Sequence, residues 1–141
     1  MDNRFRKSER LNSKLIIDKL FAGGNKSMAV FPLRVVYMPI AEDDAPESMM
    51  DVPVSIMVSV PKKRFHHAVD RNRMKRLVRE AYRMNKGIVW DAMADRHEKL
   101  AIAFVCITDN MPNSHQVTKA VTKALLRIAE EHYNSQHHEH N

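Results

Sequence analysis

The sequence predicts an α+β fold, a sheet with helices packed on one face. Its 141 residues are enough for one domain and too few for two well-buried ones. Apolar residues recur at helical spacing in three stretches, and other stretches alternate or run continuously as in strands. In chain order this gives helix, two or three strands, helix, strand, helix. We expect residues 1–133 to form this single domain and the polar residues 134–141 to be a disordered tail.

The first helix is predicted between Ser13, which can cap its start, and the pair Gly23-Gly24, which ends it. Its apolar residues at helical spacing are Leu15, Ile16, Leu20 and Phe21.

Two strands are predicted next. The first begins at Leu33, because Pro32 is disfavoured inside a paired strand, and it reaches Met38. Its alternation places Leu33, Val35 and Tyr37 on one face and Arg34, Val36 and Met38 on the other. The second strand is the β-branched stretch from Val54 to Val60. Residues 40–52, between the two strands, are acidic and aperiodic, which predicts an exposed loop.

The second helix is predicted from Asp70, a favourable N-cap residue, to Lys86. Its apolar stripe consists of Met74, Leu77, Val78 and Ala81, and an adjacent basic stripe consists of Lys75, Arg76, Arg79 and Arg83. A short helical turn is expected within residues 91–98. The apolar run from Leu100 to Ile107 predicts a strand covered on both faces, and Asn113 with Gln116 predicts the capping box of a last helix.

The net charge of +6 is concentrated in one segment of the chain. Residues 62–86 carry ten Lys and Arg against two acids, +8, and residues 1–26 add +4, whereas residues 27–61 carry −4 and residues 87–141 carry −2. A charge that serves only solubility would be spread more evenly. The alternative is a basic helix face that is simply solvated, but the segment has few acids to pair with its cations. We therefore expect it to bind the phosphates of RNA or DNA.

Two further features bound the protein class. The single cysteine, Cys106, excludes an intramolecular disulfide and lies in an apolar run, which favours a buried, inert thiol. No apolar run approaches the roughly 20 residues that span a bilayer. We expect a cytoplasmic protein without a membrane contact.

Three aromatic residues have two interpretations each. Phe21 and Tyr37 are either core residues or platforms on which unpaired bases stack, and Phe65 is either a loop anchor or a stacking residue.

Evidence for protein-based catalysis is thin. Asp51, Asp91, Asp95 and Asp109 lie near element ends, but nothing in the sequence fixes them around a metal ion. The histidines lack companions at ligand spacing, so no metal site is predicted.

The segment Val58-Ser59-Val60-Pro61-Lys62-Lys63, followed by Arg71-Asn72-Arg73, Lys75-Arg76 and Arg79-Glu80, resembles the protein subunit of bacterial ribonuclease P. That family carries an Arg-Asn-Arg signature on a helix, continued by Lys-Arg and Arg-Glu and preceded by a Ser-Val-x-Lys-Lys strand end. Weaker similarity covers most of the chain. The resemblance implies an αβββαβα two-layer sandwich, with a short extra strand around residues 26–29.

The resemblance also implies a function. In the family the RNA subunit hydrolyses precursor tRNA with Mg²⁺, which is bound mainly by the RNA subunit and the substrate, and so removes the 5′ leader. The protein assists and supplies no catalytic side chain. The implied partners are the catalytic RNA and precursor tRNA, and no obligate protein partner is expected. The implied RNA-subunit-binding residues are Lys62, Lys63, Arg71, Asn72, Arg73, Lys75, Arg76 and Arg79. The implied leader-binding residues are Phe21, Val35 and Tyr37, in a cleft between the first helix and the sheet.

Two other functions remain open on the residues alone. A nucleic-acid-binding structural protein of the ribosomal type would show the same charge without a leader cleft, and an autonomous nuclease would depend on the aspartates. Asn72 is equally suited to bracing the loop before its helix and to hydrogen bonding RNA.

Overall fold

The computed structural model describes residues 4–139, with side chains as far as His132. Within this part the strands are β1 (Lys26–Val30), β2 (Leu33–Ala41), β3 (Val54–Ser59) and β4 (Glu98–Cys106). The helices are α1 (Lys14–Phe21), α2 (Ala68–Asn85), α3 (Gly87–Met93) and α4 (Ser114–Glu139). Single 3-10 turns lie at Lys7–Glu9, Glu42–Asp44 and Glu47–Met49. The predicted α+β class is confirmed, and β1 is the short extra strand that the resemblance implied.

The strands form one four-stranded sheet in the order β1-β2-β4-β3 across the described residues. Strand β2 pairs antiparallel with β1 and β4, whereas β3 pairs parallel with β4. Strand β4 is therefore central, and its residues from Leu100 to Phe104 are fully buried. The predicted coverage of this strand on both faces is confirmed.

Helices cover both faces of the sheet, so the expectation of helices on one face is wrong. One core joins Val35, Ile56 and Phe104 of the strands to residues of α2, α3 and α4. A second, smaller core places Ile16 and Leu20 of α1 against the opposite face. The physical reason is that β2 carries apolar residues on both of its faces, and each apolar face must be covered.

The two capping predictions are confirmed. The Ser13 hydroxyl accepts from the Ile16 amide at 3.4 Å, and Gly23 and Gly24 follow α1 with φ of 101° and 84°, which suits glycine. At the last helix, the Asn113 carboxamide accepts from the Gln116 amide at 2.8 Å, and the Gln116 side chain accepts from the Asn113 amide at 3.0 Å. Sequence patterns therefore located both helix starts.

Other predicted boundaries are wrong by a few residues. Helix α2 begins at Ala68 with His67 as its N-cap, rather than at Asp70, and α3 precedes most of the turn expected at 91–98. Strand β2 extends to Ala41, and Met49 and Val52 of the expected loop are buried in the core beside α1. The acidic composition of residues 40–52 predicted an exposed loop and gave no sign that Met49 and Val52 are buried.

The domain boundary stays a prediction. Helix α4 continues to Glu139, and the last two residues of the expected tail at 134–141 lie outside the described part of the chain.

Candidate nucleic-acid interface

Helix α2 presents a cationic surface because its opposite side is fixed in the core. Met74 and Val78 are fully buried under the sheet, and Leu77 packs against the same core. Of the predicted residues, Lys62, Lys63, Asn72, Arg73 and Arg76 are exposed, and Arg71, Lys75 and Arg79 are half-buried. The structure therefore brings all eight predicted RNA-subunit-binding residues to one helix and the loop that leads into it.

Arg71 braces the loop between β3 and α2. Its guanidinium donates to the carbonyls of Phe65 at 3.0 Å and His66 at 2.8 Å. Phe65 is only 8% exposed and belongs to the main core, so its anchor interpretation is correct. Asn72, which was considered for the bracing role, is exposed, and its side chain has no hydrogen-bond partner among the described residues. Its carboxamide is free for an external ligand.

Arg79 lies beside a basic residue that was not among the predicted site residues. Burial, and then the neighbouring Arg10 guanidinium, lower the pKa of Arg79. Arg10 is held against the domain because its residue bridges to Ile56 of β3 and its guanidinium lies 5.5 Å from the centre of the Phe5 ring. The signals for Arg10 in the sequence are the N-terminal excess of positive charge and the weaker family similarity, which includes Arg10-Leu11 before the first helix. Two neighbouring positive charges favour an anionic partner.

Three cations of the basic segment do not contribute a free charge to this surface. Arg83 pairs with Glu80, its Nε donating to the carboxylate at 3.1 Å. Arg64 contacts Asp109 at 3.4 Å. Lys86 is fully buried and pairs with Glu9 at 2.9 Å. Within residues 62–86, the cations that have no carboxylate partner among the described residues are Lys62, Lys63, Arg71, Arg73, Lys75, Arg76 and Arg79.

The three predicted leader-binding residues do not lie together. Phe21, on the last turn of α1, is 47% exposed. Val35 is fully buried and Tyr37 is 4% exposed, and both belong to the core on the opposite side of the sheet. The placement of Val35 and Tyr37 in a cleft beside α1 is therefore wrong: the alternation is right, but α1 covers the other face of β2.

Tyr37 has a structural role under α4. Its hydroxyl hydrogen bonds to the Glu131 carboxylate. Burial, and then this hydrogen bond, raise the pKa of Tyr37. The phenol is therefore neutral at physiological pH and donates to Glu131.

The sheet face beside α1 carries a different set of residues. Pairing across the sheet aligns Val36 with Ala103 and Met57, and aligns Arg34 with Val105 and Ser59. Arg34 is exposed, and Val36, Met57, Ser59 and Val105 are half-buried. We call this surface, together with Phe21, the α1 groove. The apolar residues of α1 were the available signal, since they require a sheet face of their own.

The alternative catalytic groups are not assembled. Asp51 and Asp91 line one cavity, whereas Asp109 lies at the other end of the sheet in contact with Arg64. No group of three His, Cys, Asp or Glu side chains suited to a metal ion occurs among the residues the structure describes. Cys106 is buried, and burial raises the pKa of its thiol, as expected for an inert residue.

None of the helices described is both long and apolar enough to cross a bilayer.

Comparisons with known proteins match most of the chain. The sequence model of the Ribonuclease P family matches residues 5–129. The chain is 46% identical over 123 residues to the ribonuclease P protein component of Porphyromonas gingivalis, covering 87% of this chain and 85% of that protein. It is 32% identical over 132 residues to the ribonuclease P protein component of Chlorobaculum tepidum, covering 89% and 83%.

Solved structures share the fold. The RNase P protein of Staphylococcus aureus superposes with a TM-score of 0.62 at 18% identity, covering 87% of this chain and 96% of that one. The RNase P protein of Thermotoga maritima gives 0.62 at 22% identity, covering 84% and 96%. With its matched sequence, its fold and the basic helix in place, the chain belongs to the ribonuclease P protein family, whose members are subunits of the enzyme that processes the 5′ ends of tRNA.

Proposed function

We propose that this protein binds the catalytic RNA subunit of ribonuclease P through α2 and assists that RNA in removing the 5′ leader from precursor tRNA. The observation that carries the proposal is the cationic surface of α2, where seven Lys and Arg side chains have no carboxylate partner among the described residues. Such a surface is stabilised by phosphates, whose bound counterions are released on contact.

The chemistry of the side chains fits an RNA backbone. Arg73 and Arg76 are exposed on α2, and a guanidinium can donate two parallel hydrogen bonds to one phosphate. Arg71 holds the preceding loop, so Lys62 and Lys63 are presented beside the helix rather than on a free segment. The exposed Asn72 adds a neutral donor and acceptor that can contact a base or a ribose.

The α1 groove is proposed to hold the single-stranded leader. Phe21 offers an exposed ring for stacking, Arg34 a charge for the backbone, and Val36 and Met57 an apolar floor. This assignment keeps Phe21 and replaces Val35 and Tyr37 with residues on the face that α1 covers. Strand β3 ends at Ser59, three residues before Lys62, so the groove continues toward the basic loop.

The proposed function requires Mg²⁺, which acts on the RNA and not on the protein. We propose that the ion is bound mainly by the RNA subunit and the substrate. No group of three or more His, Cys, Asp or Glu side chains suited to a metal ion occurs among the described residues. The protein would neutralise phosphates as the two RNAs approach each other and thereby lower the Mg²⁺ concentration that their association requires. A cytoplasmic location belongs to the same proposal, because precursor tRNA is matured there.

Reconstitution tests the proposed function. Precursor tRNA cleavage by the RNA subunit is measured at low Mg²⁺ with and without the protein, and we expect the protein to increase the rate. Binding is then compared between precursor and mature tRNA in the presence of the RNA subunit. A protein that leaves cleavage unchanged, or binds both tRNAs equally, would be a structural RNA-binding protein instead. Cleavage by the protein alone would indicate an autonomous nuclease.

A further inference from the structure

A cavity of about 450 Å³ opens between the turn that joins β1 to β2 and the first turns of α4. Its walls include Phe31 of the turn, Asn110 of the loop after β4, and Gln116, Lys119 and Lys123 of α4. Its volume is within the range of sites that take small organic groups. The cavity lies on the α4 side of the sheet, whereas the α1 groove lies on the opposite side.

Phe31 is held at the cavity with its ring in solvent. The side chain is 71% exposed, the highest fraction for any Phe, Tyr or Trp on the described part of the chain, while the adjacent Pro32 is buried. The turn is fixed to the end of β4, because the Ile107 amide donates to the Pro32 carbonyl at 3.0 Å. A planar ring on an anchored turn is suited to stacking against an unpaired base.

The opposite wall carries uncompensated positive charge. Lys119 and Lys123 are four residues apart on α4, so they lie one turn apart on the same face and repel each other. Both are exposed, and neither has a carboxylate partner among the described residues. The loop acid Asp109 contacts Arg64 instead. These charges favour an anionic ligand.

Polar groups on the cavity wall can read a base edge. The Gln116 side-chain oxygen accepts from the Asn113 amide, which fixes the carboxamide and leaves its nitrogen as a donor. An aromatic ring, an oriented amide and two ammonium groups are together the complement of one nucleotide and its flanking phosphates.

We propose that this cavity binds an unpaired nucleotide of the RNA that α2 binds, with the base on Phe31 and the phosphates on Lys119 and Lys123. The Arg64–Asp109 contact joins the loop before α2 to the loop that lines the cavity, so the cavity lies beside the loop that carries Lys62 and Lys63. The inference rests on the proposed function, since it requires that the RNA subunit is bound. It adds a second contact region on the other side of the sheet from the α1 groove.

Binding of the RNA subunit by matched variants tests the inference. We expect Phe31→Ala to weaken binding about fivefold or more, because one base can no longer stack. The matched control is Leu126→Ala, which removes an exposed apolar side chain on α4 outside the cavity and should bind as the unaltered protein does. The slope of log affinity against log salt is negative, and Lys119→Gln with Lys123→Gln should make it shallower by about 1.4. Lys119→Arg with Lys123→Arg should leave the slope unchanged.

If the cavity variants bind with unchanged affinity and salt slope while Arg73→Glu weakens binding, this inference fails and the proposed function stands. If the unaltered protein does not bind the RNA subunit, the proposed function fails.

Uridine and adenosine monophosphates are titrated in parallel with NMR detection of the Phe31 ring. Saturation of the cavity by a free mononucleotide that leaves RNA binding intact would make it a small-molecule site and overturn the inference.

Discussion

The ammonium of Lys86 lies 2.9 Å from the carboxylate of Glu9, and both side chains are fully buried. Lys86 also donates to the Arg4 carbonyl at 2.5 Å and lies 4.6 Å from the centre of the Trp90 ring. The second oxygen of Glu9 accepts from the Arg6 amide at 2.7 Å. The pair thus fastens the N-terminal segment to the end of α2, and every polar group in it is satisfied.

We predict that Lys86→Met destabilises the protein by about 3–5 kcal/mol, because it leaves the Glu9 charge buried without a partner. Denaturant unfolding measures the change. Combining Lys86→Met with Glu9→Gln should recover part of the stability, since the amide oxygen can still accept from Arg6. As a control, Arg83→Gln breaks a partly exposed pair with Glu80 and should change stability far less. Equal effects of the two single variants would contradict the buried-pair account.

Charge reversal on the exposed side of α2 should weaken binding of the RNA subunit. For Arg73→Glu or Arg76→Glu we expect the negative slope of log affinity against log salt to become shallower by about one for each phosphate that is no longer neutralised. Filter binding over a series of salt concentrations measures both quantities. Arg83→Gln serves again as the control, because Arg83 already pairs with Glu80. An unchanged slope would show that Arg73 and Arg76 face away from the RNA.

Phe21→Ala should reduce the preference for leader-bearing over mature tRNA by about 1–3 kcal/mol for a stacked base. Competition binding in the presence of the RNA subunit gives this difference. By contrast, Val35→Ala should lower the Tm and leave the preference unchanged, because Val35 is buried on the other face of the sheet. A reduced leader preference in Val35→Ala, without one in Phe21→Ala, would restore a cleft on the α4 side.

The stability of the protein should fall as the pH drops below about 6.5 through His132. Burial, and then the charge of Arg96, lower the pKa of His132 from its ordinary value of 6.5, against a smaller opposing effect of Glu98. The unfolded chain therefore takes up this proton first, so the contribution is complete above pH 6.5 and is lost toward the lower folded-state pKa. We expect the Tm of His132→Gln to vary less between pH 7.5 and 5.5 than that of the unaltered protein. An identical pH dependence would exclude His132 as the source.

The sequence allows much of the fold to be predicted because its signals are local. Ser13 and the Asn113–Gln116 box act within one helical turn, and the alternation along β2 is a property of neighbouring residues. Which side of β2 meets α1 depends instead on a packing partner elsewhere in the chain. The alternation therefore separates Val35 and Tyr37 from Val36 correctly, but it does not show that Val36 is the residue on the groove face.

The cationic surface shows the same limit. Composition locates ten basic residues in one segment, but it cannot distinguish Arg73, which is exposed, from Lys86, whose charge is buried against Glu9 77 residues earlier in the chain. Arg10 was missed for the converse reason: it joins the surface only because β3 brings the N-terminal segment beside α2.

The position of β4 has a consequence for how the chain is made. Strand β4, which lies between β2 and β3, is the last of the four to be synthesised. Strands β2 and β3 therefore have no common neighbour until residue 106 has left the ribosome. The hairpin of β1 and β2 can form early, because its contacts are local, whereas the parallel pairing of β3 with β4 must wait for α2 and α3 to cross over. The basic helix α2 is thus present on the nascent chain before the sheet that its apolar side covers is complete. RNA that binds α2 at that stage would contact basic side chains on a helix that is not yet packed in the domain.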